Sequence, residues 1–211
     1  MKLLAVLTSV SLALALPADL EKRQYIASNT QNQLTDGTPC RAITVIFARG
    51  TTESGNVGTI VGPPFFQALA NSVGAGKVAV QGVDYPADIP GFNAGGDAGG
   101  SRLMASLAAQ AQSRCPKTKL TLSGYSQGAQ LVHNAAAMLS NSTTKFVSSV
   151  VVFGDPDDGQ PVGRIPASKV KTYCNVGDDI CLGGNVILPP HLTYATDADA
   201  AAAFVRSKAG I

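Results

Sequence analysis

The sequence predicts an α/β fold: a three-layer αβα sandwich around a central, mainly parallel sheet of about five strands. Three observations lead there. Short β-branched runs alternate along the chain with Ala- and Leu-rich segments of helical length. The β-branched runs are continuously apolar and not alternating, which is how strands read when both faces of a parallel sheet are covered. Finally, 211 residues that are 45% hydrophobic and 14% charged are enough for one domain with a substantial core, and too few for two ordinary ones.

The elements follow in order. Residues 42–48 read as a buried strand, and 65–73 as a helix introduced by Pro63 and Pro64, whose fixed φ suits a first turn. A strand over 78–83 is followed by a Gly/Pro-rich loop over 84–96 and a helix over 98–113. A strand at 120–123, a helix at 127–139 and an apolar strand at 147–153 come next. A shorter strand at 170–173, loops over 174–193 and a helix over 197–208 complete the chain, with neither an internal repeat nor a linker to a second domain.

The N-terminus predicts export. Lys2 precedes an apolar run from Leu3 to Leu16 that is too short to span a bilayer, with small residues at Ala13, Ala15 and Ala18. Residues 1–18 therefore read as a signal peptide, and 19–23 as a short propeptide ending in the dibasic pair Lys22–Arg23. Residues 24–211 then form a single domain. In an exported chain four cysteines imply two disulfides. Cys174 and Cys181 are close enough for a local bridge, which leaves Cys40 and Cys115 to pair over a long distance. Asn141-Ser142-Thr143 is an N-glycosylation sequon. Sixteen basic residues against fourteen acidic ones, scattered along the chain, give neither the basic patch of a nucleic-acid binder nor an amphipathic basic membrane helix. The product is expected outside the cell, as a monomer, without stable membrane insertion.

The sharpest chemical feature is Gly124-Tyr125-Ser126-Gln127-Gly128, placed where a strand ends and a helix begins. That is the pattern of a nucleophile elbow. A side chain at either glycine would strike the neighbouring strand or helix, and the helix N-terminus offers N–H groups to a developing oxyanion. A serine hydroxyl is too weak an acid to ionise unaided and needs a base. Only two histidines exist. His133 lies two turns along the elbow's own helix and points away from its mouth. His191 lies in a loop after the last strand, where open α/β sheets carry their sites. A carboxylate must then fix the histidine tautomer. Asp178 and Asp179, inside the Cys174–Cys181 stretch, qualify equally on this reading. The chain order serine, aspartate, histidine is that of α/β-hydrolases.

Four segments in series carry a resemblance. Ile46-Phe47-Ala48-Arg49-Gly50-Thr51-Thr52-Glu53, Gly124-Tyr125-Ser126-Gln127-Gly128, Cys174-Asn175-Val176-Gly177-Asp178 and Pro190-His191-Leu192 together resemble the fungal cutinase family, from Cys40 to the final helix. The resemblance implies a small lidless hydrolase of carboxylic esters, including cutin-type polyester, that needs no cofactor or metal. It selects Asp178 as the catalytic aspartate. It places the oxyanion hole at the N–H groups of Gln127 and Thr51, with Asn93 orienting the Thr51 hydroxyl where many relatives carry serine. It also implies the pairs Cys40–Cys115 and Cys174–Cys181. The alternatives are an acetylxylan or other short-chain esterase, whose family members usually carry more cysteines, and a non-catalytic surface or effector protein on a hydrolase scaffold.

Apolar residues flank the expected site. Ile187, Leu188 and Leu192 surround His191, and Ile89, Pro90 and Phe92 occupy the loop facing it, so these are the expected acyl-binding walls. Other motifs fail on inspection. Asp155-Pro156-Asp157-Asp158-Gly159 opens like a calcium loop, but Pro166 stands where the closing glutamate belongs, and it is expected to be a solvated acidic loop. Gly74-Ala75-Gly76-Lys77 lacks the first glycine of a P-loop. With two histidines and bridged cysteines, no metal-ligand cluster is expected.

Overall fold

The computed structural model describes residues 25–211, so the predicted signal peptide and propeptide lie outside the described residues. In chain order the elements are β1 (Ile43–Ala48), α1 (Gly62–Val73), β2 (Val78–Gly82), α2 (Ile89–Asn93), α3 (Ala98–Arg114) and β3 (Lys119–Tyr125). They continue with α4 (Gln127–Met138), α5 (Asn141–Phe146), β4 (Val147–Phe153), β5 (Val170–Tyr173) and α6 (Ala198–Ala209). The five strands form one sheet in the order β2-β1-β3-β4-β5, and all four pairings are parallel.

Parallel pairing explains the uninterrupted apolar strands. On β1, Val45 and Phe47 enter one core cluster with Phe65, Phe66 and Leu69 of α1 and Ala201 and Val205 of α6. Ile46 and Ala48 enter the other, with Met104 and Leu107 of α3 and Leu131 and Val132 of α4. Strand β4 divides in the same way, Val151 and Phe153 to one side and Val150 and Val152 to the other. The period of two is present in space but hidden in the sequence, because both faces are dry.

The expected elements are found with small shifts of boundary. Strand β3 runs two residues further than expected, through Gly124 and Tyr125, which still pair with Val152 and Phe153. Two short helices were not anticipated. Helix α2 lies within the expected loop, and its Pro90 and Gly91 discourage a helical reading. It is held by Asp88, whose carboxylate accepts from Gly91 N at 2.8 Å as an N-cap. Helix α5 is polar and only six residues long, capped by Ser140 through Thr143 N. Asn141 is exposed at its first position, as a glycan acceptor must be.

The chain leaves β1 toward β2 on one side, and β3 lies on the other, so the sheet's switch point falls between β1 and β3. A crevice opens there at the carboxyl ends of the strands. Arg49-Gly50-Thr51 follows β1 and Ser126 follows β3, so topology alone brings these distant segments together. Both disulfides are formed, Cys40–Cys115 and Cys174–Cys181, and both fit an oxidising compartment. Among the described residues no helix is long and apolar enough to cross a membrane.

Candidate active site

Ser126 sits between β3 and α4 with φ 56° and ψ −122°, a conformation that non-glycine residues rarely adopt. The glycines around it make that turn accessible. A Cβ on Gly124 would collide with the Gly128 carbonyl in the first turn of α4, and one on Gly128 would collide with the Ala48 carbonyl at the end of β1. Ser126 N is tied to Phe153 O at 2.9 Å, which fixes the turn to the neighbouring strand.

The Ser126 hydroxyl lies 3.0 Å from His191 Nε2, and His191 Nδ1 lies 2.8 Å from Asp178 Oδ2. All three residues are at least 96% buried, yet Ser126 and His191 line one open cleft of about 700 Å³. Asp179, the alternative left by the residue pattern, points elsewhere: its Oδ2 accepts from Val186 N at 2.9 Å and braces the loop before His191. His191 is held twice more. Its carbonyl accepts from the Tyr125 hydroxyl at 2.8 Å, and the Tyr125 ring lies 5.1 Å from the imidazole. Behind the ring, Gly154 leaves no room for a side chain, since its Cβ would come within 2.8 Å of His191 Cε1.

The surroundings of Thr51 differ from the expectation. Asn93 is exposed at the end of α2 and lines the cleft, but the partner of Thr51 Oγ1 is Gln127 Nε2, at 2.9 Å. Gln127 Nε2 also donates to Asp88 O at 2.8 Å. That carbonyl can only accept, so the amide nitrogen must face it, and Thr51 must receive a hydrogen bond there. The Thr51 hydroxyl proton is thereby left to donate elsewhere, and Thr51 itself lines the cleft. Next to it, Thr52 at φ 66° donates its N–H to the carbonyl of Ala87 at φ 51°, at 2.7 Å. The three strained non-glycine residues among the described ones, Thr52, Ala87 and Ser126, thus cluster here, where strain is characteristic of working sites. Glu53 organises the loop: its carboxylate accepts from the N–H groups of Gly50, Thr59 and Ile60 at 2.7–2.9 Å.

Of the six expected apolar wall residues, Ile89, Phe92, Ile187 and Leu192 line the cleft. Pro90 and Leu188 do not. Helical periodicity puts positions 89, 92 and 93 of α2 on one face and turns 90 away. Leu188 stands at the entry to the turn that carries His191, with its carbonyl accepting His191 N at 2.9 Å. Glu53, Thr59, Ile60, Tyr125 and Asn185 also line the cleft and were not foreseen: Glu53 and Tyr125 lie within the quoted segments without an expected role there, and no motif marks the other three.

The region around His133 also departs from expectation. Asp155 is 1% exposed and not solvated, because it lies two residues past β4 and its Oδ2 is 3.0 Å from His133 Nε2. The ligand atoms of His133, Asp155 and Asp157 lie within 4.8 Å of one another, a cluster hidden by 22 residues of sequence separation. The Nε2 atom is nonetheless paired with Asp155 Oδ2, and Asp155 Oδ1 accepts from Asp157 N. Burial opposes charge on His133, but the hydrogen bond and charge of Asp155, aided by Asp157 and Pro161, outweigh it and raise its pKa. The His133–Asp155 contact fastens α4 to the loop after β4.

A strained serine at a strand–helix turn, an imidazole in contact with it and a buried aspartate behind that imidazole define a small serine hydrolase of the α/β type. The comparisons carry this further. The family model described as Cutinase matches residues 39–209. A cutinase of Botryotinia fuckeliana is 56% identical over 82% of this chain and 85% of that protein, and one of Monilinia fructicola is 56% identical over 81% and 85%. The structure of Trichoderma reesei cutinase with a C11Y4 phosphonate inhibitor superposes with a TM-score of 0.81 at 45% identity, covering 90% of this chain and 88% of that one. An acetylxylan esterase structure reaches 0.69 at 27% identity, over 82% of this chain and all of that one. The chain belongs to the cutinase family, and it is a serine esterase.

Proposed function

We propose that this chain is exported, loses residues 1–23, and acts as a monomeric extracellular hydrolase of cutin-type polyester and of short- to medium-chain acyl esters. Ser126 is the nucleophile, His191 the general base and Asp178 its orienting carboxylate. As the Ser126 oxygen bonds to the acyl carbon, its proton passes to His191 Nε2. The carbonyl oxygen becomes an oxyanion held by the N–H groups of Thr51 and Gln127 and by the Thr51 hydroxyl, a stabilisation of typically about 3–4 kcal/mol per donor. His191 then protonates the departing alcohol. A water molecule deprotonated by the same nitrogen releases the acid and restores Ser126. Every bond change is served by side chains of this protein, so the proposal invokes no cofactor.

The observation that carries the reading is the continuous hydrogen-bonded chain Ser126–His191–Asp178 at the floor of an open, apolar-walled cleft. Openness suits an ester presented on a polymer. Identity of 45% to a cutinase structure, against 27% to an acetylxylan esterase structure, favours cutin-type polyester over acetylated sugar. The test is hydrolysis of p-nitrophenyl butyrate by the oxidised protein lacking residues 1–23, beside Ser126→Ala and after organophosphonate treatment, with cutin and acetylxylan as competing natural substrates. Turnover lost in both controls, with monomer release from cutin, supports the proposal. Activity persisting in Ser126→Ala refutes the mechanism, and release of acetate alone refutes the substrate.

A further inference from the structure

Asp178 is a carboxylate sealed from water: its side chain has no exposed area, and His191 is its one ion-pair partner among the described residues. Removing a carboxylate from water is costly unless donors replace the lost hydration. Three do. Ile180 N donates to Oδ1 at 3.0 Å, while Oδ2 receives both His191 Nδ1 at 2.8 Å and the Tyr194 hydroxyl at 2.5 Å. The terminal torsion of an aspartate is broad and roughly two-fold, so nothing intrinsic aims a given oxygen at the imidazole. The two donors that flank the carboxylate, one on each oxygen, remove that freedom.

We infer that Tyr194 is a positioning residue of the reaction, acting through Asp178: its hydroxyl pins the oxygen that orients His191. The inference rests on the Ser126–His191–Asp178 reading above. The direction of the hydrogen bond is fixed from both ends. A carboxylate accepts, and the Tyr194 oxygen in turn accepts from Asn175 N at 2.9 Å, so its own proton goes to Asp178, a far stronger acceptor than the Cys181 sulfur 3.5 Å away. Burial, reinforced by the hydrogen bond to Asp178, pushes the phenol far above its ordinary range, so it keeps that proton. The ring is enclosed. Fully buried, it stands nearly perpendicular to His191 at 6.1 Å and packs on Tyr125 and Phe153. Asn175, within the Cys174–Cys181 loop, also reaches forward through its side chain to Pro190 O and Thr193 Oγ1. The aspartate loop, the histidine turn and the approach to α6 therefore converge on one hydroxyl.

The test is a double-mutant cycle with Tyr194→Phe and Asp178→Asn, read by kcat and KM on a soluble nitrophenyl ester. Tyr194→Phe retains the ring's packing and is expected to lower kcat about tenfold, the size of one charge-assisted hydrogen bond, with KM within about twofold. In the Asp178→Asn background the same substitution should change kcat less than about twofold, because the group it acts through is gone. Unaltered kcat in the single variant, or equal losses in both backgrounds, overturns the inference and leaves Tyr194 a packing residue. A second measurement covers a poorly folded Tyr194→Phe. Incorporating 3-fluorotyrosine at position 194 preserves shape and strengthens the donor, drawing charge from Oδ2. The downfield proton resonance of His191 Nδ1 should then move upfield, and an unmoved resonance refutes the coupling. Failure of the underlying reading would look different: Ser126→Ala would still turn over.

Discussion

The two disulfides make opposite predictions for stability and for activity, and removing them separately tests the assignment of the site. In the chain-entropy model a bridge stabilises by restricting the unfolded chain, and the effect grows with the logarithm of the loop it closes. Cys40–Cys115 spans 75 residues and Cys174–Cys181 spans 7. The same relation gives about 4.5 kcal/mol for the long loop and about 2.4 kcal/mol for the short one. At roughly 2–4 °C per kcal/mol for a domain of this size, Cys40→Ala/Cys115→Ala should lower Tm by about 9–18 °C, and Cys174→Ala/Cys181→Ala by about 5–10 °C. Function should rank them the other way. The long bridge lies near the starts of β1 and β3, at the sheet edge opposite the cleft. The short one encloses Asp178, with Cys181 Sγ 3.6 Å from the carboxylate oxygen that faces His191. Well below both melting temperatures, the first variant should hold kcat on p-nitrophenyl butyrate within about twofold, whereas the second should lose about tenfold or more, the scale of a misaligned catalytic group. Thermal melts by circular dichroism and initial rates on the same samples decide it. A short-bridge variant that is folded and fully active would refute the claim that the bridge holds the aspartate in place. A reversed order of Tm losses would refute the loop-entropy argument.

Three further outcomes follow from the same contacts. Thr51→Val keeps the shape and removes the hydroxyl, so kcat should fall about 10- to 100-fold while Thr51→Ser stays near wild type. Equal rates for the valine and serine variants would exclude the hydroxyl from the oxyanion hole. Gly128→Ala drives a Cβ into the Ala48 carbonyl and should cost about 3 kcal/mol or more, seen as a lower Tm or loss of soluble protein. An unchanged melting curve would show that β1 and α4 can separate without cost. For His133, the folded pKa is raised above the unfolded value of about 6.5. Its stabilising contribution is therefore complete below that value and is lost as pH rises through the folded one. The Tm gap between wild type and His133→Gln should be widest in mildly acidic buffer and narrow in alkaline buffer. A gap that widens with pH would refute the ion pair.

Much of the fold was legible because its signals are local. The strands 147–153 and 170–173 were expected at the observed bounds, since β-branched runs stop where turn residues begin. The prolines at 63 and 64 announced α1 for the same reason. Helices α2 and α5 were not legible. Neither has the length or periodicity to declare itself, and each depends on a capping side chain, Asp88 or Ser140, whose effect emerges only once the flanking segments are placed. Ser126 and His191 could be named from a turn motif and from elimination among two histidines. The residue pattern alone left Asp178 and Asp179 equivalent, and the resemblance to cutinases selected the first. In space they are separated by what each accepts from, His191 in one case and Val186 N in the other.

What the sequence determined by itself was the layered architecture, the elbow, the local cysteine bridge and the choice of His191 over His133 as candidate base. Each of these is carried by residues adjacent in the chain or by residue types too scarce to leave a choice. Only the tertiary structure decided which groups support them. That Gln127 and not Asn93 holds Thr51, that Tyr194 reaches Asp178, and that Asp155 is buried against His133 depend on segments 16 to 76 residues apart meeting across the sheet edge. No local propensity encodes such meetings. They follow from the parallel strand order, which sends β1, β3, β4 and β5 to end side by side, and from a close-packed interior that leaves each side chain one place to go.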